Sequence, residues 1–407
     1  MTRSLKLLAL IFVLLTAKTA MAQSSEFDHK WLALADSTFK SFERKFNTKA
    51  VVVGLYYQGK DTLLTYGRIN FLGRRPDGED IFQIGSVSKT FTGLLLADAL
   101  EKNELDLDDP ISDFLDIRNM DKYSSTTLQS LATHTSGLPN NTLTFFALPL
   151  ASYVATTVAI NQLILTPLNS PEALVSLPWK IAFIPPPIPF FSTYGRGLVN
   201  FDLNIYKPKE KNTGKWKYSN LGMGLLGRIV AEHNGKTYEE ALQKTICEPL
   251  GLMNTTTNVS KAQKKKYATP HNVLGIRTTR TKFRKGGIEG AGGIKSTGND
   301  MMKYLNAQFH PASSDHLSRC ISYQHLTFFE SQNPKQKGLE MGLAWIKYNN
   351  EADGVDPVIW HNGQVAGTSA FMGFVKEKDI GIFILTNSGK ASKITRLGFS
   401  ILNSLNQ

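Results

Sequence analysis

Ser86 and Lys89 stand three residues apart in Gly85-Ser86-Val87-Ser88-Lys89. On a helix that spacing puts both side chains on one face, one turn apart, so an amine can reach a hydroxyl. A serine hydroxyl at its ordinary pKa is a weak nucleophile and needs an adjacent base. The residues that follow, Thr90 to Leu100, are apolar on nearly every side. A helix of that kind is buried. Burial disfavours the ammonium form of Lys89, and a helix N-terminus favours negative charge on Ser86. The pair points to nucleophilic chemistry on Ser86, against the plainer alternative of a capping serine and a solvated lysine.

Acyl transfer also needs a proton shuttle to the leaving group and an oxyanion hole. Tyr218 and Asn220, in Tyr218-Ser219-Asn220, open another helix after a turn. A tyrosine beside a lysine can have its pKa lowered and act as a base, and an asparagine offers an amide substrate both a donor and an acceptor. Trp360-His361-Asn362-Gly363-Gln364 lies at a strand, where a glycine lets a substrate approach the backbone. His134, in Leu131-Ala132-Thr133-His134, is expected to hold a loop by hydrogen bonds rather than to act in catalysis.

These residues need elements to position them. Ala50 to Tyr57 is β-branched and aromatic, Gln58 to Asp61 turns, and Thr62 to Tyr66 returns, which is a hairpin signal. Phe27 to Phe46 has helical spacing of apolar residues. Pro110 suits the first position of a helix. Short helices are expected over Thr126 to His134, Met223 to Val230, Tyr238 to Thr245 and Asn299 to Phe309, with glycines 286 to 293 as a flexible approach to Ile294. Strands are expected at Gly342 to Lys347, Val358 to His361, Ser369 to Val375 and Ile380 to Thr386, and Ile394 to Leu405 closes the chain as an amphipathic helix. Strands near both ends with helices between predict an α+β fold, one sheet built from both termini and a mainly helical lobe inserted between them.

At 407 residues the chain can bury a sizeable core. Residues 1–22 read as a secretory signal peptide, with a charged start at Arg3 and Lys6, an apolar run from Leu7, and Ala20-Met21-Ala22 before Gln23. This predicts export, to the periplasm or the medium. Losing Arg3, Lys6 and Lys18 takes the formal charge from +12 to +9. The remaining basic residues, including Lys261, Lys264, Lys265 and Lys266, read as a solvated surface, and no motif points to nucleic acid. Cys247 and Cys320 could pair or stay free. The sequence carries no CxxC or HExxH and no recognised cysteine–histidine cluster, so no metal site is expected. Asn140 to Pro171 contains no charged residue. The apolar insert 140–190 is expected to pack on the body or over a hydrophobic groove, with contact to a membrane surface as an alternative and a bilayer span disfavoured.

The order Ser86-Val87-Ser88-Lys89, Tyr218-Ser219-Asn220, His361-Asn362-Gly363 resembles the serine β-lactamase and penicillin-binding protein superfamily. The tyrosine in the middle motif looks like class C β-lactamases, their related DD-peptidases and the family VIII esterases. Leu107 to Pro110, Leu131 to Pro139, Glu248 to Leu252, Gly292 to Thr297 and Gly381 to Asn387 also match in kind, so the resemblance covers nearly all of residues 27–405. It implies a β-lactamase/transpeptidase-like fold with an antiparallel sheet. Residues 23–407 would form a single catalytic domain, with an α/β part over 23–104 and 290–407 and a helical lobe over 105–289. It implies that Ser86 is the acylated nucleophile, that Lys89 holds or accepts its proton, and that Tyr218 acts as general base and then protonates the leaving nitrogen. Asn220, His361, Asn362, Gly363 and Gln364 would bind substrate, with the N–H groups of Ser86 and Gln364 as the oxyanion hole and no cofactor or metal. The implied function is a secreted β-lactamase. A D-alanyl-D-alanine carboxypeptidase/endopeptidase or a carboxylesterase is the alternative, so the partner is a β-lactam, a peptidoglycan peptide or an ester. Two departures bear on substrate. His361 replaces the usual lysine and is mostly neutral at pH 7, and the insert 140–190 favours a bulkier or more hydrophobic molecule.

Overall fold

The computed structural model describes residues 32–33, 36–37, 40, 49–69, 73–118, 120–141, 195–206, 208, 212–309, 315–349, 355–365 and 367–406. The expected signal peptide and all but the first two residues of the insert 140–190 lie outside them. Residues 1–48 form one unit, whose described residues are helical, and Lys49–Gln407 forms a second.

The second unit is built on an eight-stranded sheet in the order β2-β1-β10-β9-β8-β7-β6-β5, antiparallel throughout. The strands are β1 (Ala50–Tyr57), β2 (Lys60–Gly67), β5 (Phe329–Glu330), β6 (Leu339–Met341), β7 (Ile346–Tyr348), β8 (Val358–Val365), β9 (Thr368–Val375) and β10 (Ile380–Thr386). The first two come from the N-terminal side and the rest from the C-terminal side, as expected. The hairpin closes through Gln58 and Gly59, both with positive φ (+44° and +80°), as a two-residue turn between twisted strands requires. β1 is flanked on both edges and buried nearly throughout, and β9 is buried at every residue. Both need cover on two faces. One cover is the C-terminal helix α9 (Ala391–Leu405), which turns Ile394, Leu397, Ile401 and Leu402 inward.

The other layer holds α1 (Ser88–Glu101), in which every residue from Ser88 to Ala99 is buried. Phe91 stacks on Tyr304 at 4.0 Å. Around α1 stand α2 (Leu128–Ala132), α3 (Arg196–Ile205), α4 (Asn220–His233), α5 (Tyr238–Leu242), α6 (Glu289–Gly292), α7 (Gly298–Ala307) and α8 (His316–Gln324). A two-stranded ribbon of β3 (Ile81–Gln83) and β4 (Lys295–Thr297) leads into the turn that precedes α1.

Several local expectations need correction. Pro110 sits in extended backbone and caps a 3-10 turn at Ile111–Asp113 instead of opening an α-helix. Gly342–Trp345 is not strand. Ala344 has φ +66°, and Leu343 and Ala344 donate to the carbonyls of Gln324 and Ala132, so the chain turns before β7. The glycines at 290–293 are a packed contact, not a flexible approach. A Cβ on Gly290 would lie 2.9 Å from Thr92 Oγ1, so glycine lets α6 press on α1. Past α5 the chain forms a wide π turn, Gln243–Cys247. Cys247 and Cys320 are both buried and free. Cys320 lies on α8 one turn after His316 and close to Asp98, so a cysteine–histidine cluster is present after all. Among the described residues no helix is long and apolar enough to cross a membrane.

Candidate active site

Ser86 occupies a 3-10 turn, Gly85–Val87, directly before α1. Gly85 has φ +55°, and a Cβ there would lie 2.6 Å from the backbone nitrogen of Gln364. Gly363 on β8 is held as tightly. Its Cβ would lie 2.0 Å from the Ile84 carbonyl oxygen and 2.8 Å from the Ser86 nitrogen. Two glycines therefore let β8 run against the nucleophile turn, which brings the backbone nitrogens of Ser86 and Gln364 to the contact between the two segments.

Lys89 is fully buried. Its Nζ lies 2.9 Å from Ser86 Oγ, 2.8 Å from Asn220 Oδ1 and 2.5 Å from the Ala291 carbonyl. Burial holds its pKa well below the ordinary lysine value. A neutral amine has two N–H groups and one lone pair. The two oxygens that can only accept take the N–H groups, and the lone pair is left facing the Ser86 hydroxyl. That arrangement can take a proton from Ser86.

Tyr218 is half-buried and its phenol is hydrogen-bonded to Ser86. Lys89 Nζ lies 4.8 Å from the ring centroid. The expectation of a lowered tyrosine pKa is corrected. Burial pushes the phenol above its usual value and outweighs the Ser86 hydrogen bond. With its pKa raised in this way, Tyr218 is protonated and is a proton donor at rest. Asn220 is the first residue of α4. Ser219 caps the helix, accepting from the Gly222 N–H at 2.9 Å and donating to the Pro139 carbonyl at 2.7 Å. Asn220 Nδ2 donates to Asn140 Oδ1 at 2.9 Å, which orients its Oδ1 toward Lys89.

His134 has φ +60°, its Nδ1 accepts from the Ser219 N–H at 3.3 Å, and its ring lies 4.5 Å from that of Tyr218. It holds the loop that carries Tyr218, in the manner anticipated. His361 is buried, with Nδ1 2.6 Å from the Asn362 carbonyl. Burial pushes its pKa down to about 3, so the imidazole is neutral. Asn362 does not aim its side chain at this space. Successive strand residues point to opposite faces, and Asn362 Nδ2 donates to Thr395 Oγ1 on α9 at 2.8 Å. Gln364 likewise carries its side chain away, exposed and 3.5 Å from the Gly389 carbonyl. The residues expected to act therefore gather at one place, with Asn362 and Gln364 contributing only backbone. The Ala291 carbonyl was not anticipated. Its only trace in the sequence is the small-residue run Glu289-Gly290-Ala291-Gly292-Gly293.

Comparison with known proteins places the chain in a family. A β-lactamase of Pseudomonas fluorescens is 24% identical, with 92% of this chain and 98% of that protein covered. The D-alanyl-D-alanine-carboxypeptidase/endopeptidase AmpH of Escherichia coli K12 is 25% identical over 80% of this chain and 76% of its own length. The crystal structure of a class C β-lactamase in complex with cefoxitin superposes with a TM-score of 0.72 at 22% identity, covering 92% of this chain and 99% of that one, which establishes the shared fold. The Beta-lactamase family model matches residues 35–169 and 202–399, well over half of the sequence, and the chain belongs to that family.

Proposed function

We propose that this protein is a serine hydrolase that opens a β-lactam ring, or a related amide bond, through an acyl-enzyme on Ser86. The observation that carries the reading is the buried Lys89 amine, 2.9 Å from Ser86 Oγ, with its two N–H groups engaged by Asn220 and Ala291. In this reading Ser86 Oγ bonds to the substrate carbonyl carbon as its proton passes to Lys89. The backbone N–H groups of Ser86 and Gln364 receive the oxyanion. The carbon–nitrogen bond then breaks. The leaving nitrogen takes the Tyr218 proton, and Tyr218 recovers one from Lys89. A water then attacks the ester carbon, the carbon–Oγ bond breaks, and the water proton is relayed through Tyr218 and Lys89 to Ser86 Oγ.

Similarity to the Pseudomonas fluorescens β-lactamase supports a β-lactam as substrate. Similarity to AmpH supports peptidase activity on D-alanyl-D-alanine ends as a second reading. The neutral, buried His361 supports an ester substrate better than lysine would, because it offers a substrate carboxylate no fixed charge. Residues 1–22 support export to the periplasm or the medium.

Steady-state assays distinguish the three. The expected result is turnover of a chromogenic cephalosporin, faster than D-alanine release from a D-alanyl-D-alanine peptide and faster than p-nitrophenyl ester cleavage. Cephalosporin left intact while either other substrate is turned over would replace the β-lactamase reading with the corresponding alternative.

A further inference from the structure

A second cluster of ligating side chains lies away from Ser86, where α8 crosses α1. His316 and Cys320 stand one helical turn apart on α8 and face Asp98 of α1, and one ligand atom from each lies within 4.8 Å of the others. His316 Nε2 is 2.7 Å from Asp98 Oδ1 and 3.6 Å from Cys320 Sγ. Both contacts use the same ring nitrogen. A Cys–His–Asp proton relay would need the two nitrogens on opposite sides, so the cluster is not a second nucleophile. Three donors that converge on one point suit an ion instead.

We propose that Asp98, His316 and Cys320 bind one zinc-type divalent cation, which ties α8 to α1. A thiolate, an imidazole and a carboxylate are a ligand set for zinc, with water in the fourth position, and the thiolate disfavours magnesium and calcium. A tetrahedral ion with ordinary bond lengths needs its nitrogen and sulfur ligands about 3.5 Å apart, close to the separation observed. The His316–Asp98 contact would open by roughly 0.7 Å on the same geometry. Lys102 Nζ holds the other Asp98 oxygen at 2.7 Å, which leaves Oδ1 for the ion and orients the carboxylate from outside. The thiolate and carboxylate together balance a charge of two. Cys320 is buried, while the His316 side chain is 37% exposed and gives the ion a way in from solvent. Asp98 lies nine residues beyond Lys89 on α1, about 13 Å along the axis, so the ion would serve structure and not the chemistry at Ser86.

The test is titration of metal-stripped, tag-free protein with Co2+ as the spectroscopic probe and Zn2+ as competitor. The expected result is one equivalent bound, with a thiolate-to-cobalt charge-transfer band and tetrahedral d–d bands, displaced by Zn2+ and untouched by Mg2+. Cys320→Ser abolishes the charge-transfer band, and His316→Gln, at a partly exposed position, weakens binding at least about 10-fold. Cys247→Ser, at the other buried free cysteine, leaves both unchanged. Absence of stoichiometric binding by the wild type, a band that survives Cys320→Ser, or wild-type affinity in His316→Gln would overturn the proposal.

Discussion

Lys89 is a base because of what surrounds it. A lysine in water is an ammonium with no lone pair to offer. This one is buried with two carbonyl oxygens on its hydrogens, and its pKa is held well below the ordinary value. The amine is therefore active above its lowered pKa and is lost as a base when pH falls through it. The kcat/KM profile should show an acid limb from this group, and Lys89→Arg, which cannot deprotonate, should lose about 10²- to 10⁴-fold in acylation rate. An acylation rate in Lys89→Arg within a few-fold of wild type would remove Lys89 from the mechanism. At this scale the sequence was readable where spacing alone decides geometry, as for Ser86 with Lys89 or Tyr218 with Asn220. It was not readable where a pKa depends on burial. Tyr218 moves up rather than down because burial dominates, among neighbours far apart in the chain such as Lys89, His134 and His361. Nor could the motif at 361–364 tell which of its side chains face the serine, since that depends on which face of β8 meets α9.

The site exists because two elements meet without side chains between them. β8 passes the turn before α1 at Gly363 and Gly85, with no room for a Cβ at either. Gly363→Ala should push β8 off the nucleophile turn, cost about 1–3 kcal/mol as an overpacked contact, and slow acylation at least about 10-fold as the Ser86 and Gln364 nitrogens separate. Urea unfolding together with single-turnover acylation checks this. Loss of stability with acylation intact would mean that the close approach does not build the oxyanion site. The elements that were legible have strong local signals, namely the β1–β2 hairpin, the buried α1 and the closing amphipathic α9. Those that were misjudged are set by tertiary contact. Ala344 turns because its N–H finds the Ala132 carbonyl, and the glycines before Ile294 are ordered because α6 packs on α1.

Among the described residues, the sheet and helical layers bury three histidines, His134, His325 and His361, and hold all three pKa values below the usual 6.5, chiefly by desolvation. The unfolded chain takes up these protons first as pH falls. The stability that the neutral imidazoles contribute is thus full above the ordinary histidine value and is lost below it, by up to about 1.4 kcal/mol per pH unit for each group. His271, also lowered chiefly by desolvation, adds to the same slope. Glu289, pushed up to about 7, and the raised Asp300 oppose it, two groups against four. The urea midpoint should therefore be lower at about pH 5 than at about pH 7.5, and an equal or higher midpoint in acid would contradict the burial of these groups. Time-resolved intact mass of the protein mixed with a penicillin, with Ser86→Ala alongside, tests the covalent step on Ser86. An adduct of one penicillin mass is expected on the wild type only, decaying as the drug is hydrolysed. An equal adduct on Ser86→Ala, or hydrolysis by that variant at the wild-type rate, would contradict it.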